Sequence, residues 1–158
     1  MLANQYFLKQ GFVSDKIGFV KEGLLRAFFY TENGEEITTH FFTTGSYIIS
    51  YGSFNNQTPS KENIIAVENS ELMTVNYQKQ KELYLKIPQW NQICKDLADI
   101  KSREMIERTA QFQTLTATER YNLFCADFPE VIKKVSLRHI SSYLGIDIAT
   151  LSRIRKKR

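Results

Sequence analysis

The chain has 158 residues, of which 42% are hydrophobic and 24% charged, a composition typical of a soluble globular protein. It has no apolar run of about 18 residues and no readable leader peptide. Two cysteines and two histidines are too few for a cysteine-rich metal or iron–sulfur site. We therefore expect a cytoplasmic protein with no membrane partner, metal or cofactor, in which Cys94 and Cys125 are free thiols.

Positive charge is concentrated near the C-terminus. Residues 116–158 carry nine Lys and Arg against four Asp and Glu, whereas residues 1–115 carry twelve against thirteen. Such an asymmetry favours a polyanionic partner for the C-terminal part of the chain. A solvated basic tail would give the same charge distribution, so charge alone leaves both explanations open.

Residues 1–76 show the pattern of a β domain, because short runs of β-branched and aromatic residues alternate with glycines. The Asn-Gly pair in Thr31–Gly34 is typical of a tight hairpin turn. Strands are predicted at residues 17–20, 24–30, 36–42, 46–50, 63–67 and 71–76. Several short strands joined by turns indicate a sandwich or barrel.

Near residue 77 the apolar period changes to that of a helix. Gln78–Leu85 is predicted as a short helix, and Pro88 fits the first turn of a long helix over 88–113. The apolar stripe of the long helix includes Ile93, Leu97 and Ile100. An apolar stripe outside a compact core often packs against a second copy, so we expect a dimer helix. The alternative is that the stripe packs on the chain's own β domain.

The C-terminal part is predicted to be helical. Thr116–Glu119 has capping-box spacing, so a helix should run to about Phe128 before Pro129, with a short helical or loop segment over 130–135. Ser136 is a natural N-cap for the next helix, which Gly145 ends because glycine tolerates a left-handed backbone. Asp147 then caps a second helix over 148–157, and the pair forms a helix-turn-helix.

The outward face of this second helix is predicted to enter the major groove of DNA, with Arg153 placed to pair with guanine. Its other outward residues are Ile148, Ala149, Ser152 and Lys156. The residues expected to contact phosphates are Ser136, Arg138, His139, Thr150 and the basic run of Arg155, Lys156, Lys157 and Arg158. An ordinary helical hairpin with a basic end is the alternative.

Several stretches resemble the Crp/Fnr (catabolite activator) superfamily, namely 19–26, 35–38, 45–47, 140–146 and 150–155. The last two are similar to short members from Bacteroidetes-type bacteria. The resemblance implies an α+β chain with a cyclic-nucleotide-binding-type β jelly roll over 1–87, a dimerisation helix over 88–115 and a helix-turn-helix domain over 116–158. It also implies that Arg153 is the base-contacting arginine. At both ends the sequence departs from the family, which has a helix and strand before the first β segment and a β-hairpin wing after the recognition helix.

The predicted effector pocket comprises Ser50, Tyr51, Gly52, Ser60 and Lys61. In the cAMP-binding members of the family, a Gly-Glu pair and an Arg-Ser/Thr-Ala segment hold the ligand. Ser50 falls where the glutamate would be and Ser60 where the arginine would be, while Lys61 offers only a point charge for a phosphate. We therefore expect no tight cAMP binding, and either another small-molecule effector or none.

Three classes of function are distinguishable. The leading hypothesis is a homodimeric transcription regulator that reads an inverted-repeat operator in double-stranded DNA, with RNA polymerase as a candidate further partner. The apolar pair of Ile148 and Ala149 also suits a ligand-sensing or protein-interaction module that has lost DNA binding. An enzyme is not expected, because no nucleophile–base pair, phosphate loop or catalytic carboxylate pair forms a readable motif.

Overall fold

A computed structural model describes residues 1–156, and within that range strands and helices segregate along the chain. The strands are β1 (Tyr6–Leu8), β2 (Lys16–Glu22), β3 (Leu24–Tyr30), β4 (Glu36–Thr43), β5 (Tyr47–Ile48), β6 (Asn63–Ala66) and β7 (Glu71–Asn76). The helices are α1 (Tyr51–Asn56), α2 (Tyr77–Lys86), α3 (Pro88–Thr114), α4 (Ala117–Asp127), α5 (Pro129–Lys134), α6 (Leu137–Leu144) and α7 (Ile148–Lys156). The predicted α+β class and the β-then-helix order are confirmed.

The strands form two antiparallel sheets that pack as a sandwich. One sheet has the order β1-β6-β3-β4 and the other β5-β2-β7. Gly23 makes the corner between β2 and β3, which belong to different sheets. Its φ is +117°, and a Cβ there would lie 2.2 Å from Ser70 Oγ, so a side chain is excluded on both counts.

The interior of the sandwich is filled by alternate residues of the strands, as the period-two pattern requires. Val20, Leu25, Ile48 and Ile64 are fully buried, and Phe42 packs with them. The Thr31–Gly34 turn forms as predicted, with Gly34 N donating to Thr31 O at 2.9 Å.

Two local predictions in the β domain need correction. The strand expected at 46–50 is only Tyr47–Ile48, because the chain then enters α1, a short helix that the sequence did not indicate. Strand β1 was also not predicted, since three residues are too few to show a period. It pairs with β6 and places Phe7 and Leu8 in the core.

The long helix α3 follows α2 with little interruption. Asn76 caps α2 by accepting a hydrogen bond from Lys79 N at 2.8 Å, and Pro88 occupies the first turn of α3 as expected. Although α3 spans 27 residues, none of its residues is buried. No described helix is long and apolar enough to cross a membrane.

The C-terminal helices share a hydrophobic core with the β sandwich. We call this cluster the C-terminal core, and its buried members are Leu24, Phe41, Tyr121, Phe124, Val131, Val135, Ile140, Leu144 and Leu151. Two of these, Leu24 and Phe41, lie on β3 and β4 and point away from the interior of the sandwich. The helix-turn-helix is therefore packed directly on the sheet that carries β4.

Polar contacts reinforce this packing at the sheet edge. Strand β4 is an edge strand, and Ser142 Oγ of α6 accepts a hydrogen bond from Thr38 N at 3.1 Å and donates one to Thr38 Oγ1 at 3.0 Å. An edge N–H that would otherwise be buried without a partner is thus satisfied by a helix.

Candidate DNA-binding surface and effector pocket

Local sequence signals determine the geometry of the helix-turn-helix. Ser136 Oγ accepts a hydrogen bond from His139 N at 3.4 Å, which starts α6. Gly145 ends this helix with φ +63°, in the left-handed region, as predicted. Ile140, Leu144 and Leu151 are buried between α6 and α7, so the two helices are held by one small core.

Helix α7 turns one face outward and displays the residues predicted to read DNA. Ile148 is 48% exposed, and Ala149, Arg153 and Lys156 are also exposed, whereas Ser152 is half-buried. Leu151 alone of this stretch is fully buried, and it anchors the helix to the C-terminal core. The predicted residue Lys157 lies outside the described residues.

Arg153 is held along the helix surface by a short chain of hydrogen bonds. Its Nη2 donates to Thr150 Oγ1 at 3.0 Å, and that hydroxyl donates to Asp147 Oδ2 at 2.6 Å. Thr150 N also donates to Asp147 Oδ1 at 2.8 Å, so Asp147 is the N-cap of α7. These hydrogen bonds hold the pKa of the Asp147 carboxyl below its usual range.

The flanking residues predicted to contact phosphates do not all face outward. Ser136 and Arg138 are exposed, but the ring of His139 turns toward β4, with Nδ1 3.9 Å from Glu36 Oε2. Burial and the positive charge of Arg26 lower the pKa of His139, so its neutral form is favoured. We therefore leave His139 out of the proposed DNA-contacting surface.

The structure brings together only part of the predicted effector pocket. Ser50 and Ser60 are buried with their hydroxyl oxygens 3.5 Å apart, and Tyr51 is half-buried beside them in the chain. Ser60 Oγ is already engaged, because it donates to Glu62 O at 2.9 Å and accepts from Glu62 N at 3.1 Å. Gly52 and Lys61 are exposed, so Lys61 does not join the two serines.

Glu62, beside these serines, and His40 and Lys101, in the groove between α3 and β4, are polar residues that sequence reasoning missed. Burial raises the pKa of the Glu62 carboxyl, although a hydrogen bond from Ser50 and the charge of Lys101 act in the opposite direction. The Lys101 ammonium donates to His40 Nε2 and also pairs with Glu104 at 2.9 Å. Burial, together with Lys101 and Arg108, lowers the pKa of His40 to about 3, so its imidazole is neutral.

The predicted dimer residues on α3 are only partly exposed. Ile93 and Ile100 are 45% and 44% exposed, and Leu97 is half-buried. Leu97 and Ile100 also line a groove of about 510 Å³ between α3, β4 and the C-terminal helices. Among residues 1–156, no three His, Cys, Asp or Glu side chains are grouped as a metal site would require.

Known proteins share this architecture. Residues 1–86 match the family model of the cyclic nucleotide-binding domain. The chain is 24% identical to the transcriptional activator protein Anr of Pseudomonas protegens over 95% of its own length and 65% of that relative. FixK2 from Bradyrhizobium japonicum has the same fold with a TM-score of 0.84 at 15% identity, over 99% of this chain and 80% of that one. The catabolite activator protein of Thermus thermophilus gives 0.60 at 18% identity, over 99% and 75%.

Proposed function

Because the chain belongs to the cyclic nucleotide-binding domain family and has the fold of the Crp/Fnr regulators, we propose that it is a sequence-specific DNA-binding transcription regulator. The observation that carries this proposal is the exposed face of α7, which is fixed to a buried core and ends in basic residues. A relative that is named as a transcriptional activator supports the same function.

Arg153 is the residue proposed to read a base. An arginine on the outer face of a recognition helix pairs bidentately with guanine in the major groove. Its anchor to Thr150 restricts the guanidinium before DNA arrives, which lowers the entropy lost on binding. Ile148 and Ala149 offer only apolar groups beside it, and these suit contact with a thymine methyl.

The regulator is proposed to act as a homodimer through α3. A 27-residue helix with no buried residue leaves several large apolar side chains partly open to solvent. Its apolar residues left open to a partner are Ile93, Ile100, Met105 and Ile106. A second copy of the same helix is the proposed occupant, because a two-fold dimer would present two recognition helices to an inverted repeat.

The sensor domain is proposed to have lost tight cAMP binding. A cyclic phosphate needs an arginine or a ring of N–H donors, whereas the two buried serines here lie beside a partly buried carboxylate, Glu62. The cation whose charge acts on that carboxylate, Lys101, is already engaged by His40 and Glu104. Another effector, or none, is consistent with this site.

The proposed function is tested by selection of bound duplexes from a randomised pool at about 0.15 M salt, a concentration at which non-specific affinity is low. We expect the wild type to enrich an inverted repeat and Arg153→Ala to lose or relax one base pair of each half-site. Arg155→Ala is the matched control, since loss of a phosphate contact weakens all duplexes without changing the enriched sequence. No enrichment by the wild type would contradict the proposal and favour a sensor or protein-interaction module.

A further inference from the structure

Arg108 of the proposed dimer helix α3 makes hydrogen bonds to both the β sandwich and the helix-turn-helix. Arg108 Nη2 donates to Tyr143 O at 2.9 Å, and its Nη1 donates to Thr39 O on β4. The guanidinium carbon also lies 3.9 Å from the centre of the Tyr143 ring. A single side chain of α3 therefore contacts both the sandwich and the helix-turn-helix.

Two further side chains close around the same turn. A Cβ on Gly145 would lie 2.7 Å from Phe112 Cε1, so the ring of Phe112 packs against the turn itself. Arg120 Nε donates to Leu144 O at 3.1 Å, and its guanidinium lies 5.2 Å from the centre of the Phe112 ring. We call Arg108, Phe112 and Arg120 the turn clamp.

The clamp has a clear physical basis. The last carbonyls of a helix have no partner within the helix and carry partial negative charge, so cations that donate to them are stabilising. Arg108 and Arg120 donate to the last two carbonyls of α6, those of Tyr143 and Leu144. A planar guanidinium can serve two carbonyls and stack on a ring at the same time, which a lysine cannot do.

We propose that Arg108 is a positioning residue for DNA recognition, because it fixes the helix-turn-helix at one orientation on the dimer helix. In a dimer built on α3, the distance between the two recognition helices depends on how each is attached to its own α3. Arg108 thereby determines which spacing of half-sites the protein accepts. This inference rests on the proposed function and extends it to the geometry of the operator.

The test compares wild type, Arg108→Gln and Arg108→Lys on duplexes that carry the selected half-site once or as inverted repeats. Each inverted repeat has either the optimal spacer or a spacer that is one or two base pairs longer or shorter. We expect the wild type to prefer one spacer and both variants to lose that preference. Loss of a charged hydrogen bond costs about tenfold in an equilibrium constant, so the optimal repeat should bind about tenfold more weakly. Affinity for the single half-site should not change.

Arg103→Gln is the matched control, because Arg103 is exposed on the same helix and its loss changes charge by the same amount. Sedimentation and far-UV circular dichroism establish that each variant keeps its assembly state and helix content. A wild-type spacer preference retained by Arg108→Gln would overturn the inference, as would an equal loss on every duplex including the half-site. A wild type that shows no sequence preference would instead refute the proposed function, and the inference would fail with it.

Discussion

Phe41 offers a quantitative test of the shared C-terminal core. Its side chain is 4% exposed, and its ring centre lies 5.1 Å from that of Tyr143 and 5.9 Å from that of Phe124. Truncation of a buried phenylalanine to alanine costs about 3–5 kcal/mol. Total stabilities are about 5–15 kcal/mol, so Phe41→Ala should remove a large part of the free energy of unfolding. Because the ring comes from β4 and its neighbours from the C-terminal helices, the loss should also separate the two parts.

The assay is urea unfolding at fixed protein concentration, followed both by circular dichroism and by the fluorescence of Trp90 in α3. Both signals should share one midpoint in the wild type, while in Phe41→Ala the helical signal should be lost at lower urea. Phe29→Ala is the control, since Phe29 is 38% exposed on β3 and its loss should cost under about 1 kcal/mol. A Phe41→Ala protein as stable as the control would refute the shared core.

His40 and Gly145 each affect stability in a way that can be measured. The pKa of His40 is about 3 in the folded chain, against an ordinary value of 6.5 that applies once the chain unfolds. Between these two pH values the His40 imidazole is protonated in the unfolded chain and neutral in the folded chain. The free energy of unfolding should therefore fall as the pH drops below 6.5. The free energy of unfolding should change by at most about 1.4 kcal/mol per pH unit. Urea titrations at several pH values measure this change, and a His40→Gln variant with the same pH dependence as the wild type would show that His40 is not its cause. Gly145→Ala should lower the free energy of unfolding by about 1 kcal/mol or more, because φ is +63° and the new methyl group meets Phe112. Gly52→Ala, where a Cβ meets nothing within 4 Å, should change thermal stability little.

The helix-turn-helix could be predicted from sequence because each of its features is local. Ser136 and Asp147 cap the helices that follow them, and Gly145 ends α6 in the left-handed conformation. The long helix was equally readable from Pro88 and from its apolar stripe. Such signals depend on neighbours within four or five residues, so one sequence suffices to detect them.

The contacts that join the β sandwich to the C-terminal helices could not be predicted in this way. Thr38 and Ser142 are 104 residues apart in the chain, and Arg108 reaches β4 across 69 residues. The alternation of β4 identified Phe41 and Phe42 as strand residues but did not show that Phe41 faces the C-terminal helices. A strand that is covered on both faces shows no simple polar side, so its second face is evident only from the fold.

The prediction of an effector pocket was incomplete for a related reason. A resemblance places residues only where the family's motif has a counterpart, which is why Ser50 and Ser60 were found. Glu62 lies at a position of the aligned stretch where the family has no charged residue, and His40 and Lys101 come from β4 and α3. The contact of His40 with Lys101 depends on tertiary packing, because β4 and α3 are far apart in the chain.

Hydroxyl-radical footprinting of the wild type on the selected duplex tests the central claim most directly. A homodimer with one recognition helix per subunit predicts two protected segments related by two-fold symmetry, with centres about one helical turn, about 34 Å, apart. Arg153→Ala should weaken protection of both segments together at the same protein concentration. A single protected segment would contradict the dimer, and a duplex without any protection would contradict DNA binding itself.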